Sequence, residues 1–330
     1  MTAYLLRRVL VSIPTLAALI TLTFLLLRSV PGDPADARLA EADTARIDRA
    51  AVEHLRSQFG GDLPPLPQAV LWAGRCLRFD FGLSFADGAP VGARIVRALG
   101  ATAVLSGTAL LLMLAVSLTA GTWMAAGAGG RLDRWGGRLL LIAASVPASL
   151  GAVILQRLLA VDFPLFPLHG AGPPGAAGEP FLGGLRLQYL ALPALCVAYR
   201  GAALYSRLVR QAVVQTLRAE FVTAARARGL AGPFLHLRHT LRNALLPLIS
   251  TTAALVPAAM AGSIVVETIF GWPGAGRLFA DSVLGRDYPV ILALVWAGAL
   301  LTLTSLLAAD LLLGSVDPRV RVHDPAGRQG

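Results

Sequence analysis

The sequence contains no lysine, so all of its 29 basic residues are arginine. A phosphate-binding loop of the Gly-x4-Gly-Lys-Ser/Thr type is therefore excluded, and any nucleotide energy must come from another chain. Cysteine is almost as scarce. Cys76 lies in a polar stretch and Cys196 inside an apolar run, so no disulfide is expected. Neither has the Cys/His spacing of a metal site, and His236 with His239 lacks a third ligand. Only 15% of residues are charged against 55% hydrophobic, too few to cover the surface of a soluble domain.

What is abundant is long apolar sequence. Six runs, at 9–27, 101–127, 139–161, 189–208, 244–266 and 290–314, each match the roughly 20 residues that cross about 30 Å of hydrocarbon. The expected fold class is an all-α integral membrane protein with six transmembrane helices. Pro14, Pro147, Pro193 and Pro257 fall inside these runs and are read as kinks, which membrane helices tolerate when neighbours satisfy the freed carbonyls. Arg7 and Arg8 precede the first run, but Leu27 to Pro31 offers no small-x-small cleavage site, so that run is expected to be retained.

Arginine placement sets the orientation. With the amino terminus in the cytoplasm, the inner segments carry fifteen arginines against four acids, Asp133, Glu220, Asp317 and Asp324. The outer segments carry 11 arginines and 14 acids. The excess places both termini in the cytoplasm. A net charge of +10 is thereby explained by topology; the arginines flank apolar runs and do not form the basic face with interleaved aromatics that nucleic acid requires.

The expected organisation is a cytoplasmic amino terminus and first helix over 1–29, then an extracytoplasmic loop or small cap over 30–98. A transmembrane core over 99–314 and a cytoplasmic tail over 315–330 follow. The largest inner loop, 209–243, is arginine-rich yet helical in pattern. Phe221, Ala224, Ala225 and Arg228 share one face, and Phe234, Leu237, Leu241 and Leu245 another. Gly229 suits a left-handed helix cap, and Gly232-Pro233 can open a second helix. The pattern alone fits either a lipid-surface element or a docking element for a cytoplasmic partner.

The stretch Glu220-Phe221-Val222-Thr223-Ala224-Ala225-Arg226-Ala227-Arg228-Gly229-Leu230, followed by His239-Thr240-Leu241-Arg242-Asn243-Ala244-Leu245-Leu246-Pro247, resembles the coupling loop of binding-protein-dependent ABC importer permeases. More narrowly, it is similar to the dipeptide, oligopeptide and nickel branch, in its first-permease (B-type) subunit. Tyr4 to Arg8, Pro31-Gly32-Asp33-Pro34, Glu267 to Arg277, Arg286-Asp287-Tyr288-Pro289 and Asp317 to Arg321 fit that branch in the same order. Thr223 replaces the glutamate of the general family motif, as the branch itself does. Arg200 stands where the branch is usually uncharged, and Leu313 where it often has tyrosine.

The resemblance implies a permease subunit forming half of a path for peptides or a related small solute such as a nickel chelate, in a bacterial or archaeal cytoplasmic membrane. Its implied partners are a second homologous permease, two cytoplasmic ATPases that carry ATP and Mg, an extracytoplasmic substrate-binding protein and membrane lipid. This chain itself is expected to bind no cofactor and no metal and to catalyse nothing. Glu220, Ala224, Ala225, Gly229, His239, Leu241, Arg242, Asn243 and Pro247 are the implied ATPase-coupling residues. Arg200, Trp272, Arg277 and Asp33 are candidates for the pathway or outer gate.

Two other classes fit less well. A secondary transporter would carry intramembrane acids and internal repeats, yet only Asp310 falls within a run and no repeat relates the two halves. A non-transport scaffold leaves the inner loop without a purpose. An intramembrane protease is disfavoured because every histidine lies outside the apolar runs.

Overall fold

The computed structural model describes residues 2–29, 64–171, 187–220, 222, 224, 251–252 and 263–316, and these are helical with one isolated β-bridge. In chain order the helices are α1 (Thr2–Ser29), α2 (Pro65–Leu77), α3 (Val91–Ala126), α4 (Arg131–Ser145) and α5 (Ala148–Gln156), the last continued by a π-helical turn over Arg157–Asp162. Then come α6 (Leu187–Leu217), α7 (Ile264–Ile269), α8 (Ala275–Leu284) and α9 (Tyr288–Val316). Four of them, α1, α3, α6 and α9, are long and apolar enough to cross a membrane. α4 with α5 makes a fifth candidate if the pair is one bent span. The run expected at 244–266 lies almost entirely outside the described residues, as does Pro257.

The third expected span is not a kinked rod. α4 and α5 meet at 100°, because the residue before a proline is driven out of the helical region. Val146 is extended at φ −73°, ψ 123°, and Pro147 follows at φ −58°, ψ 145° as the N-cap of α5. Pro14 and Pro193, by contrast, sit within continuous helices. The break frees carbonyls, and the Tyr199 hydroxyl donates to those of Val146 at 2.8 Å and Pro147 at 3.2 Å. Gly151 makes room for that ring, since a Cβ there would lie 2.6 Å from the Tyr199 oxygen. Irregular backbone at membrane depth persists only where such partners or water satisfy it.

Several hydroxyls of the first and last spans are satisfied locally. Thr15, Thr21 and Thr23 of α1 donate to the carbonyls of Val11, Ala17 and Leu19, and Thr302 and Thr304 of α9 do the same to Gly298 and Leu300. Each bond closes within its own helix, as a lipid-facing segment requires.

The chain divides into two compact units, Met1–Thr102 with Pro273–Thr304 and Ala103–Trp272 with Ser305–Gly330. In the first, Ile20 and Phe24 of α1, Trp72 and Cys76 of α2, Phe81, Ile95 of α3, and Val290 and Trp296 of α9 form one buried cluster. Cys76, expected to be an incidental thiol in a polar stretch, is fully buried there. Burial pushes its pKa up to about 12, because the uncharged thiol is favoured away from water. α3 begins at Val91, inside the segment expected to be a loop or cap, and its 36 residues make a rod of about 54 Å.

The turn before α3 is pinned to the start of α9. Asp287, 2% exposed, accepts from the Ser84 hydroxyl and, at 3.0 Å, from the Phe85 N–H. Arg94 of α3 donates to Ser84 Oγ at 2.8 Å and to Asp87 at 3.0 Å. The Asp80-Phe81-Gly82-Leu83-Ser84 and Arg286-Asp287-Tyr288-Pro289 segments are therefore two sides of one buried polar contact.

Candidate translocation and coupling site

The second unit holds the root of the 209–243 loop. Its central element is α6, whose one face packs on α3, α4 and α5. Near mid-length, Ser117 of α3 donates to the Ala202 carbonyl at 3.2 Å, and Gly201 leaves space for Met113, whose sulfur would lie 2.7 Å from a Cβ. Farther along, Gly121 brings α3 onto α6: a Cβ at that position would stand 2.6 Å from Val209 Cβ and 2.7 Å from the Ser206 carbonyl. Gly136 of α4 admits Met124 of α3 in the same way, at 3.1 Å.

One ion pair closes this packing. Both oxygens of Asp133, near the start of α4, meet Arg210 of α6, through Nε and Nη2. The Gly129 N–H donates to Asp133 Oδ2 at 2.8 Å, so the carboxylate also orders the turn between α3 and α4. Asp133 is 8% exposed. A two-point guanidinium–carboxylate contact fixes direction as well as distance. The clamp sits within two turns of the end of α6, whose last residues are the opening of the 209–243 segment expected to engage a partner.

Beyond the clamp, α6 ends at Leu217, and the chain turns at Arg218 and Ala219 before a short helical stretch begins at Glu220. Glu220 and Ala224 are exposed, while Val222 is fully buried. Ala225, Gly229, His239, Leu241, Arg242, Asn243 and Pro247 lie outside the described residues, as does Asp33.

At the opposite end of this unit, Gln156 ties three segments together: its side-chain amide donates to the carbonyls of Leu168 at 3.0 Å and Ile269 at 3.1 Å. The Gly170 N–H adds a bond to the Phe270 carbonyl at 2.9 Å. Trp272 follows directly, with its N–H on the Glu267 carbonyl at 2.8 Å. Trp272 and Glu267 are both fully buried. The Glu267 to Trp272 part of the motif is thus a folded corner around Gly271, whose φ is +64°, a conformation that glycine adopts without strain. Arg277, which belongs to the first unit, is half-buried on α8 and faces Asp281 at 3.6 Å.

Arg200 stands apart from these contacts. It is exposed near the middle of α6, and among the described residues its guanidinium makes no hydrogen bond or ion pair. The carbonyls freed at the Val146–Pro147 break are bound by its neighbour, Tyr199. Asp133, Arg210, Gly121, Tyr199 and Gln156 carry the geometry and were not singled out from the sequence. The one available signal was Asp133 itself, the lone acid in an arginine-rich inner segment.

Residues 117–322 match the family described as the binding-protein-dependent transport system inner membrane component. The chain is 33% identical over 321 residues to the oligopeptide transport system permease protein AppB of Bacillus subtilis, covering 97% of this chain and 99% of that protein. It is 33% identical over 325 residues to a putative peptide permease protein of Brucella suis, covering 98% and 100%. It is 32% identical over 329 residues to the glutathione transport system permease protein GsiC of Escherichia coli K12, covering 97% and 99%. The chain belongs to the binding-protein-dependent transport family, as an ABC importer permease of the peptide branch. These relatives are transport permeases, not enzymes.

Proposed function

We propose that this chain forms half of the translocation path of an ATP-driven importer of peptides, or of a related small solute such as a nickel chelate. ATP and Mg act on two separate cytoplasmic ATPases, a second homologous permease completes the path, and an extracytoplasmic binding protein delivers the cargo. Both termini face the cytoplasm, a reading supported by the arginine asymmetry, and the 209–243 loop docks on an ATPase.

The observation that carries the coupling reading is the knot at the loop's root. α3, α4 and α6 are joined there by the Asp133–Arg210 pair and by the close approach at Gly121. A loop attached to a loose helix end would dissipate a push from a partner, whereas a loop rooted in three interlocked helices moves them together. ATPase closure then biases two arrangements of the permease helices, one open to each side.

The test is local. Gly229→Pro removes an N–H and forbids positive φ, and Ala225→Glu disrupts a small-residue face. Each variant is expected to insert normally but to lose ATPase attachment or cargo-stimulated hydrolysis. Full assembly and transport by both would make the loop a lipid-binding surface instead.

A further inference from the structure

Arg200 occupies a position where a charge facing lipid is strongly disfavoured, because neither boundary is within easy reach of its side chain. It lies 13 residues past the start of a 31-residue helix, and it is exposed. Two further polar residues of α6, Arg207 and Gln211, seven and eleven positions on, are also exposed, and that spacing keeps them in one line with Arg200, with Leu204 and Leu208 exposed beside them. The opposite face, with Tyr205, Ser206, Val209 and Val213, is the buried one. Immediately beside Arg200, Tyr199 holds the 100° break between α4 and α5, and broken backbone at membrane depth borders protein or water, not lipid.

From these observations the geometry points to a water-filled track along this face of α6, with Arg200 as an anion-binding subsite for the carboxylate of the cargo. The inference rests on the importer reading above and adds the charge class of the group that the path accepts. A guanidinium suits a carboxylate because its planar N–H donors match the two oxygens. Among the described residues none takes a donor from Arg200.

The test needs no knowledge of the cargo. Leu204, 57% exposed, lies one turn beyond Arg200, and Leu204→Cys places a thiol about 6 Å away. Membranes holding the assembled transporter are treated with a sulfonate-bearing or a trimethylammonium-bearing methanethiosulfonate reagent, with and without ATP. The parent chain serves as the blank, because both of its cysteines are buried. The introduced thiol is expected to react with both reagents and to favour the anionic one. Adding Arg200→Gln should lower the anionic-to-cationic rate ratio about five- to tenfold, as unit charges about 6 Å apart in water shift each rate roughly threefold in opposite directions. Arg200→Lys should retain the preference.

An introduced thiol that resists both reagents in every state would show this face covered by lipid or protein and overturn the proposal. A rate ratio unchanged by Arg200→Gln would overturn it equally. Either result, alongside ATP-dependent uptake by the parent assembly, removes the anion subsite alone and leaves the importer reading standing.

Discussion

Asp133 and Arg210, 77 residues apart in sequence, meet through a two-point ion pair that joins α4 to α6 at the start of the 209–243 segment. Asp133→Asn takes the charged acceptor from the Arg210 guanidinium and from the Gly129 N–H, and bonds to a charged group are the stronger ones. Asp133→Asn is expected to lower stability by about 2–3 kcal/mol, seen as a lower unfolding temperature in detergent. The Asp133→Arg, Arg210→Asp exchange should recover part of that loss. If Asp133→Asn unfolded like the parent, the clamp would not hold these helices.

Gly121 makes the complementary prediction about packing. Gly121→Ala forces backbone and the Val209 side chain apart and should destabilise by about 1–3 kcal/mol. Gly107 lies on the same helix with nothing within 4 Å of its added methyl. Gly107→Ala should therefore be neutral or mildly stabilising. Equal unfolding temperatures for the two alanine variants would argue against a close contact at Gly121.

Cys76 tests the first unit. Buried, and with its pKa pushed up to about 12, it stays protonated and shielded at neutral pH. A hydrophilic maleimide should leave it unmodified in intact membranes. A cysteine in place of Leu284, which is 85% exposed, is the positive control for labelling. Modification of Cys76 at the control rate would mean that α2 does not pack on α1 and α9.

Asp287 tests the union of two distant sequence segments. Asp287→Ala removes the acceptor used by Ser84 and by the Phe85 N–H, at a cost of about 1–3 kcal/mol. Limited proteolysis should then cut between 78 and 90 faster than in the parent. An unchanged cleavage rate would show that the turn is held by its own bonds.

The membrane class and four of the spans were legible in the sequence because hydrophobic length is a local property, visible in any window of about 20 residues. The Val146–Pro147 break was legible only as a proline. Whether proline kinks or breaks a helix depends on what receives the freed carbonyls, here a hydroxyl 52 and 53 residues farther along. The burial of Cys76 was hidden for a related reason: its polar neighbours in sequence are not its neighbours in space. Asp133 and Arg210 were visible as charges that set orientation, but pairing across two helices leaves no spacing rule to read. Arg200 was legible as an anomaly, a charge inside an apolar run, and the structure adds that it is exposed beside the break.

Whether ATP hydrolysis on partner subunits drives cargo through this chain is tested most directly by reconstituting the complete complex with its binding protein in proteoliposomes and following uptake of a labelled peptide delivered by that protein. Uptake is expected to require ATP, to stop with a non-hydrolysable analogue, and to fall to background in Gly229→Pro while the membrane-inserted chain persists. Uptake that continues without ATP and follows an imposed proton or sodium gradient would contradict ATP-driven import and make the chain a secondary transporter.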